Sequence, residues 1–387
     1  MIGTPRAQAR IDVAAVRSNV TELSRRAGDA QVLAVVKADA YGHGLVPCAR
    51  AAVAGGAGWL GTALLEEALA LRAAGVGTDT GDGGRRGPRV LAWLLDPGDP
   101  FASAVRADVD LSASAPWAVT AAQAAAEEVG RPARLHLKVD TGLGRAGAQP
   151  SDWPELVATA LKAAATGAVE VVGLWSHLAH ADDPHHRTVE AQLVTFHEAV
   201  EVAERAGVRP EVRHLANSAA TLTRPDTHFD LVRPGLAVYG LSPTPELASP
   251  DALGLRPAMR LSARVALAKR VPAGHGVSYL HRYVTDRETT LALVPLGYAD
   301  GIPRAGTNVG PLLAAGRRRT VAGTVCMDQL VVDVGDDAVA EGDEVVLFGP
   351  GDDGEPTAQE WADATGTISY EIVTRIGPRV PRVVVGA

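Results

Sequence analysis

Eight short apolar segments, interleaved with helical patterns, constrain the fold of this chain more than any other feature. They occur between residues 30 and 240, separated by Ala-rich helical patterns or turn residues. The segments are VLAVVKA, GWLGTA, RVLAWLL, VDLSAS, ARLHLKVD, VVGLWSHL, VRHLANS and LVRPGLAVYG. Short buried strands that alternate with amphipathic helices form parallel βαβ units, and eight such units over about 250 residues fit a closed (β/α)8 TIM-type barrel.

An open, doubly wound α/β sheet is the structural alternative, and such a sheet usually carries a phosphate-binding loop after a strand. The G-x-G-x-x-G match GAGWLG at residues 56–61 follows a helical pattern and leads into a strand, the reverse of the order in a dinucleotide site. No lysine follows a glycine, so the sequence has no P-loop. These observations favour the barrel.

A second domain is expected because 387 residues are too many for one ordinary core. After about residue 245 the sequence becomes β-rich, and the tail 357–376 looks helical before a last strand PRVVV. We predict a barrel over residues 1–245 and a mostly β domain over 246–387, with the extreme N-terminus a candidate to pack against the latter. Residues 76–89, rich in Gly, Asp and Arg, are typical of a mobile surface loop.

Charge and cysteine content exclude several functional classes. The net charge of −8 and sequence pI near 5.8 give no basic footprint for nucleic acid. Cys48 and Cys326 are too few for a disulfide framework and fit a reducing compartment. The chain has no apolar signal segment at its N-terminus and no stretch of the roughly 18 to 20 apolar residues that span a membrane. We expect a soluble, cytoplasmic protein.

Lysine is rare enough in this chain to be informative. Only four of the 37 basic residues are lysine: Lys37, Lys138, Lys162 and Lys269. Because the chain otherwise uses arginine, a retained lysine is a candidate for Schiff-base or base chemistry, which guanidinium cannot perform. Lys37 is the leading candidate, since it ends a buried apolar run where an unpaired amine costs several kcal/mol. Chance retention is the simpler explanation for Lys162, which lies in a helical pattern.

Polar residues collect at the predicted C-terminal ends of the barrel strands, where the active sites of this fold lie. They are Lys37, Lys138, Arg145, His177, Asn217, Ser218, Arg233 and Gly235. The loops after the last two strands of such barrels commonly hold a phosphate. The pattern suggests a lysine facing pyridoxal 5'-phosphate (PLP), which needs an amine for its aldehyde, donors for its phosphate and a partner for its pyridine nitrogen.

Two other patterns have ordinary structural explanations. Four histidines, His177, His180, His185 and His186, fall within ten residues, but their spacing lacks the usual paired-ligand pattern, and we expect no metal site. Cys326 lies between β-branched strands, where a thiol is more often inert packing than a nucleophile.

The motifs of this chain closely resemble those of the alanine racemases, PLP enzymes with a barrel joined to a β domain. AVVKADAYGHG, LHLKVDTGLGRAG, HLANSAA, VRPGLAVYG, GHGVSY, GYADG, VCMDQ and ISYEI appear in the family's order from about residue 30 to residue 376. The resemblance implies a cytoplasmic homodimer that interconverts L-alanine and D-alanine through an aldimine with PLP and supplies D-alanine for cell-wall peptidoglycan.

The resemblance also assigns residues to the cofactor. Lys37 matches the lysine that holds PLP as a Schiff base, and Arg233 matches the residue beside the pyridine nitrogen. Guanidinium stays protonated, so it should leave that nitrogen unprotonated, weaken the electron sink and disfavour transamination. The other matched cofactor positions are Tyr41, His177, Asn217, Ser218, Gly235 and Tyr370.

Racemisation requires a proton to leave one face of Cα and return to the other, most simply with two bases on opposite faces. The resemblance assigns these bases to Lys37 and Tyr279, with Tyr279 reaching in from the partner subunit. A phenol is a poor base at neutral pH unless positive charge or a hydrogen bond favours its anion. In the family, residues matching His177 and Arg233 form a hydrogen-bonded chain to this tyrosine.

Substrate positions follow from the same resemblance. Arg145 and the backbone N–H of Met327 match groups that hold the substrate carboxylate, and Tyr298 matches a residue of the substrate corridor. Lys138 matches a lysine that can be carbamylated and then orients Arg145, whereas its simpler explanation is an ion pair. Leu280 departs from the family, which often has Gly there, and this puts the conformation of the loop carrying Tyr279 in doubt.

Three alternatives differ in testable features. A non-catalytic PLP-homeostasis protein is a single barrel without the β domain that carries Tyr279 and Met327. A barrel-type decarboxylase pairs the pyridine nitrogen with a carboxylate, not with an arginine such as Arg233. A racemase of broader substrate range stays open, because a methylene or two is worth only about a few kcal/mol of selectivity.

Overall fold

The fold is described from a computed structural model that covers residues 5–77 and 87–387. Most of the surface loop predicted at 76–89 lies outside the described residues. The elements of the first half are β1 (Ala7–Asp12), α1 (Val13–Ala27), β2 (Gln31–Val35), α2 (Lys37–Gly42), α3 (Leu45–Ala54), β3 (Trp59–Thr62), α4 (Leu65–Ala73), β4 (Arg89–Ala92), α5 (Phe101–Arg106), β5 (Val109–Ala113), α6 (Pro116–Val129), β6 (Ala133–Lys138), α7 (Trp153–Ala165), β7 (Val169–Trp175), α8 (Arg187–Ala206), β8 (Val212–His214), α9 (Ser218–Thr223) and β9 (Leu231–Val232).

Strands β2 to β9 form one parallel sheet in the order β8-β7-β6-β5-β4-β3-β2-β9. Between β8 and β9 the Asp230 N–H donates to the Arg213 carbonyl (3.0 Å), and the Arg233 N–H donates to the Ala216 carbonyl (2.9 Å). These bonds bring the two ends of the sheet together. Strand neighbours follow chain order around the sheet, so the predicted (β/α)8 barrel is confirmed and the doubly wound alternative, whose order reverses at a switch point, is wrong.

The barrel strands form where the sequence is continuously apolar. All four residues of β3 are buried, and so are the last four of β2, because a barrel strand is covered by helices outside and by side chains inside. Helix α1 begins after Asp12, whose carboxylate accepts the N–H groups of Ala14 (3.0 Å) and Ala15 (3.1 Å). Within the two described ranges, no helix is both long enough and apolar enough to cross a bilayer.

The C-terminal part is mostly β, as predicted. Its elements are β10 (Met259–Arg264), β11 (Leu267–Val271), β12 (Gly276–Val277), β13 (Tyr283–Val284), β14 (Thr289–Val294), β15 (Pro311–Ala314), β16 (Arg317–Thr320), β17 (Leu330–Gly335), β18 (Glu344–Phe348), α10 (Ala358–Thr365), α11 (Ser369–Thr374) and β19 (Arg382–Val385). A six-stranded sheet runs β16-β15-β18-β10-β1-β19. The N-terminal strand β1 therefore lies between β10 and β19, and the chain enters the barrel only afterwards.

The glycine-rich segment 56–61 follows α3 and runs into β3, as its sequence context predicts. A second G-x-G-x-x-G match, at residues 142–147, follows β6, but the next helix begins only at Trp153. Neither segment opens a helix, so neither forms a dinucleotide-binding loop.

Candidate active site

Lys37 lies at the barrel mouth because the chain turns sharply after β2. Residues 38–41 all have φ between 52° and 54°, a left-handed helical turn that costs roughly 1–2 kcal/mol for each non-glycine residue. Surrounding contacts hold this turn. Asp39 accepts the Leu45 N–H through its carboxylate (2.7 Å), and the Asp39 N–H donates to Glu67 (3.2 Å). The strained turn presents Lys37 to the barrel mouth and buries Tyr41 beneath it.

Ten of the residues predicted from the sequence line one cavity of about 580 Å³ at the C-terminal ends of the strands. They are Lys37, Tyr41, Lys138, Arg145, His177, Asn217, Ser218, Arg233, Gly235 and Tyr370. Nine come from the barrel, and Tyr370 comes from α11 of the C-terminal part. The mouth of the barrel therefore gathers amines, guanidinium groups and hydroxyls around one space.

The remaining predicted residues lie elsewhere on the same chain. Tyr279 and Met327 line a separate cavity of about 590 Å³ on the C-terminal part. Tyr298 is close to them, since its N–H donates to the Cys326 carbonyl (3.0 Å). These three side chains are 71%, 53% and 40% exposed for Tyr279, Met327 and Tyr298 respectively. Within a single chain, Tyr279, Met327 and Tyr298 therefore lie apart from the ten residues of the barrel cavity.

Positive charge dominates the barrel cavity. Burial and then the charge of Arg145 lower the pKa of Lys37, although Glu67 partly opposes this. Burial and then Arg233 lower the pKa of Lys138 to about 7. The Lys138 ammonium lies 4.1 Å from the ring centroid of Trp175, and the charge of Asp140 partly opposes the lowering of its pKa. Two amines with lowered pKa values in an electropositive space suit an anionic ligand that reacts with amines.

Arg233 is fixed by four acceptors. The two N–H groups of one Nη are shared among the carbonyls of Ser176 (2.7 Å) and Leu215 (3.1 Å) and His177 Nδ1 (3.2 Å), and the other Nη lies 3.1 Å from His214 Nδ1. Burial first, then Arg233, lowers the pKa of His177 well below its ordinary value. Neutral His177 accepts at Nδ1, so its proton is assigned to Nε2, where it is free to donate.

Hydroxyls and backbone groups also line the cavity. Ser218 Oγ accepts the N–H groups of Gly235 (2.7 Å) and Ala237 (3.3 Å). A Cβ on Gly235 would lie 2.2 Å from the Tyr41 hydroxyl, so only glycine permits this approach. Burial raises the pKa of Tyr41, and burial and then Asp182 raise that of Tyr370 to about 12, so both hydroxyls stay protonated donors. Such donors are typical of a phosphate site.

The histidine-rich segment and Cys326 show no reactive arrangement. Among residues 5–77 and 87–387, no three metal-ligating side chains converge. The rings of His180 and His186 stack at 4.0 Å. Cys326 is half-buried, and its Sγ lies 3.2 Å from Ser278 Oγ.

Aromatic and histidine contacts at the cavity were missed from the sequence. Trp93 and Trp175 line it, and the Lys37 ammonium lies 5.8 Å from the Trp93 ring. His214 stacks on Trp175 with ring centroids 5.4 Å apart. The available signal was their position at strand ends, in RVLAWLL, VVGLWSHL and VRHLANS, but an aromatic there is equally typical of core packing.

Comparison with known proteins assigns this architecture to a family. The family models of the N-terminal and C-terminal domains of alanine racemase match residues 11–243 and 258–384. An alanine racemase of Frankia casuarinae is 64% identical over 377 residues, covering 97% of this chain and 96% of the relative. The crystal structure of alanine racemase from a D-cycloserine-producing Streptomyces lavendulae has 57% identity and a TM-score of 0.96, covering 99% of this chain and 98% of that one. Alanine racemase from Streptomyces coelicolor A3(2) has 59% identity and a TM-score of 0.95, with the same coverage. The chain belongs to the alanine racemase family of isomerases.

Proposed function

We propose that this protein interconverts L-alanine and D-alanine with PLP bound at the barrel mouth, and that it supplies D-alanine for peptidoglycan in the cytoplasm. One observation carries the proposal: a single cavity brings together an amine with a lowered pKa, a buried guanidinium and a set of hydroxyl and backbone donors. These three features correspond to the aldehyde, the pyridine nitrogen and the phosphate of PLP.

The residues present fit this cofactor. Lys37 would hold it covalently, and Arg233 would face its pyridine nitrogen. Tyr41, Ser218 and the backbone at Gly235, with Tyr370 and Asn217 beside them, would surround its phosphate. The fit depends on Gly235, since any side chain there would collide with the Tyr41 hydroxyl. Bound PLP would supply an electron sink that makes the Cα–H of alanine acidic.

Lys37 is the proposed base on one face of Cα. Its lowered pKa follows from burial and from Arg145, so a larger fraction of the amine is neutral at physiological pH. Arg233 cannot give up a proton at neutral pH, so it would leave the pyridine nitrogen unprotonated. An unprotonated pyridine nitrogen would make PLP a weaker electron sink, which favours return of the proton to Cα.

Tyr279 is the proposed base on the other face, contributed by a partner subunit in a homodimer. Its side chain is 71% exposed and lies away from the barrel cavity of its own chain. An exposed tyrosine beside a concave surface is suited to complete a neighbouring site. The free Nε2–H of His177 would then donate to the phenolate and favour it.

Arg145 and the Met327 N–H are the proposed carboxylate-binding groups, with Tyr298 lining the entrance. The Met327 N–H has no acceptor among the described residues and is available to a ligand.

We also propose that Lys138 is carbamylated and orients Arg145. Burial favours its neutral amine, which is the form that reacts with CO₂.

The domain arrangement is proposed on the same basis. Residues 1–245 would form the cofactor-binding half and 246–387 the half that serves the partner, with β1 as an N-terminal addition to the second half. The β18-β10-β1-β19 pairing supports this division, because it ties the N-terminus to the C-terminal sheet.

Deuterium exchange at Cα tests the proposed activity. The purified yellow protein is incubated with L-alanine or D-alanine in D₂O, and proton NMR follows Cα–H while circular dichroism follows optical activity. We expect both enantiomers to exchange and to lose optical activity. Bound PLP without exchange of alanine would contradict the proposal, and exchange of serine, lysine or arginine in its place would favour a different racemase.

A further inference from the structure

A chain of buried polar side chains crosses the barrel beneath the candidate active site. Arg233 Nη1 lies 3.1 Å from His214 Nδ1. His214 Nε2 lies 2.9 Å from His136 Nδ1, and His136 Nε2 lies 3.2 Å from Asp110 Oδ2. Arg233 is 4% exposed, and the other three are fully buried. Barrel interiors of this type are normally filled by branched apolar side chains. The four polar side chains, Arg233, His214, His136 and Asp110, are called the column below, and their presence requires an explanation.

The hydrogen bonds in this column have one possible direction. Guanidinium has donors only, so His214 Nδ1 accepts and the proton of His214 is on Nε2. That proton is donated to His136 Nδ1, so the proton of His136 is also on Nε2, where it reaches Asp110. Burial lowers the pKa of both histidines, which keeps them neutral. In every hydrogen bond of the column, the donor therefore lies on the Arg233 side and the acceptor on the Asp110 side.

Asp110 closes the column as a carboxylate at neutral pH. Burial alone would raise its pKa, but the hydrogen bond from His136 and the charges of Arg89 and Arg134 hold the pKa below its ordinary value. Arg134 Nε donates to Oδ1 (2.6 Å), and the Arg89 guanidinium donates to Oδ2. A carboxylate that accepts at both oxygens cannot reverse the direction of the column.

The surrounding packing holds the rings in place. A Cβ on Gly173 would lie 2.0 Å from His136 Nδ1, so glycine opens the space that His136 occupies. Trp175 lies parallel to His214, at an interplanar angle of 9° and a centroid distance of 5.4 Å. The guanidinium carbon of Arg233 lies 4.8 Å from the centroid of the same Trp175 ring. One indole therefore orients both partners of the uppermost hydrogen bond.

We propose that Asp110 is a positioning residue that acts on Arg233 through His136 and His214. By fixing both histidines in the Nε2-protonated form, it keeps an acceptor facing the guanidinium and places a negative charge at the far end of the column. The effect on catalysis rests on the proposed function, because it acts where Arg233 would face the pyridine nitrogen. The tautomers themselves do not depend on that function.

Loss of the carboxylate should affect the far end of the column. Without Asp110, His136 can hold its proton on Nδ1, and His214 would then hold its own on Nδ1, directly against an Arg233 N–H. Two donors would face each other, and Arg233 would shift. Arg89 and Arg134 keep side-chain exposures of 23% and 15%, so both can turn to solvent when Asp110 is replaced.

Long-range ¹H–¹⁵N NMR of the purified protein labelled with ¹⁵N-histidine tests the tautomers directly. Signals of His136 and His214 are assigned by replacing each histidine in turn. We expect Nε2 protonated and Nδ1 unprotonated in both, across pH 6 to 8. A proton on His214 Nδ1, or a doubly protonated ring, would overturn the proposal without any variant of Asp110.

Comparison of Asp110→Leu with a matched control, Asp230→Leu, distinguishes an effect on the position of Arg233 from a general loss of folding stability. Asp230 is also a carboxylate bound to arginine, with Arg213 Nε 2.8 Å away, but it contacts no histidine of the column. In Asp110→Leu we expect Nδ1-protonated His214 and a kcat lower by about tenfold with little change in KM, the scale of one displaced charge-assisted hydrogen bond. Asp230→Leu should change neither.

Identical tautomers and kcat in the two variants would refute the positioning role. If the protein does not racemise alanine, the kinetic comparison is lost but the tautomer comparison still decides the proposal. Failure of the column and failure of the proposed function are therefore distinguishable.

Discussion

Lys37 and Tyr279, the two proposed bases, lie in contrasting surroundings. Lys37 stands at a barrel mouth built by one chain, among Arg145, Arg233 and buried tyrosines, and its pKa is lowered there. Tyr279 is 71% exposed, on a loop where Ser278 and Leu280 have φ of 61° and 64°. The surroundings of Lys37 are built by residues of its own chain, whereas the side chain of Tyr279 extends into solvent. In the proposed homodimer, association of two chains would bring the Tyr279 of one chain to the Lys37 of the other.

Removal of the Lys37 amine should have the largest effect. Lys37→Ala should abolish the visible absorbance of bound PLP and lower kcat by at least about a thousandfold, because covalent attachment and one base are lost together. Lys162→Ala is the control, since Lys162 is exposed on α7. Absorbance spectra and polarimetry measure the two effects. Retention of both colour and full activity in Lys37→Ala would contradict the assignment.

Removal of the Tyr279 hydroxyl should affect one enantiomer far more than the other. Tyr279→Phe should bind PLP normally yet lose roughly 10²–10⁴-fold in deprotonation from its own face, the usual range for a general base. Tyr283→Phe is a matched control, because the Tyr283 hydroxyl donates to Asp333 (2.8 Å) and faces no barrel cavity. Deuterium exchange from each enantiomer measures the asymmetry. Equal and mild losses would show that Tyr279 is not a face-specific base.

Carbamylation of Lys138 should depend on pH. The amine reacts with CO₂ only when neutral, and a pKa of about 7 means that the neutral fraction rises between pH 6 and 8. With ¹³C-bicarbonate we expect a carbamate signal in ¹³C NMR that strengthens over this range and disappears in Lys138→Arg. Lys162→Arg should keep it. A wild-type protein without this signal at pH 8, or a bare amine in electron density from crystals grown near neutral pH, would remove the idea.

The smallest effect should come from the backbone of the Tyr279 loop. Leu280 has φ +64° with its side chain 76% exposed, so glycine at this position should relieve strain of about 1 kcal/mol and raise Tm by a degree or two. Leu247→Gly, at another exposed leucine, should instead lower Tm. A lower Tm in Leu280→Gly, measured by calorimetry, would show that Leu280 makes stabilising contacts.

The barrel could be predicted because its information is local. Strands such as β2 and β3 are buried on both faces, so each appears as a continuous apolar run. The family's motifs likewise placed ten residues that the structure brings to one cavity, although their roles stay predictions. The features that the sequence did not indicate depend on distant contacts or run against local conformational propensity. Residues 38–41, ADAY, favour an ordinary helix, and only surrounding contacts select a left-handed turn.

The polar column shows the same limit. Asp110, His136 and His214 lie on three different strands, and nothing in VDLSAS, ARLHLKVD or VRHLANS indicates that they meet. A histidine in a buried strand is more often a satisfied core residue than part of a network. Only the shear of the closed sheet places the three side chains one below another beneath Arg233.

Mixing of two inactive variants tests the shared site most directly. Lys37→Ala and Tyr279→Phe chains are unfolded, mixed in equal amounts and refolded together, and alanine racemisation is compared with that of each variant alone. We expect recovery of about a quarter of wild-type activity, because half of randomly paired dimers are mixed and each carries one intact site. Activity no greater than that of the two separate variants, with mixed dimers demonstrably present, would show that Lys37 and Tyr279 do not act across a subunit interface.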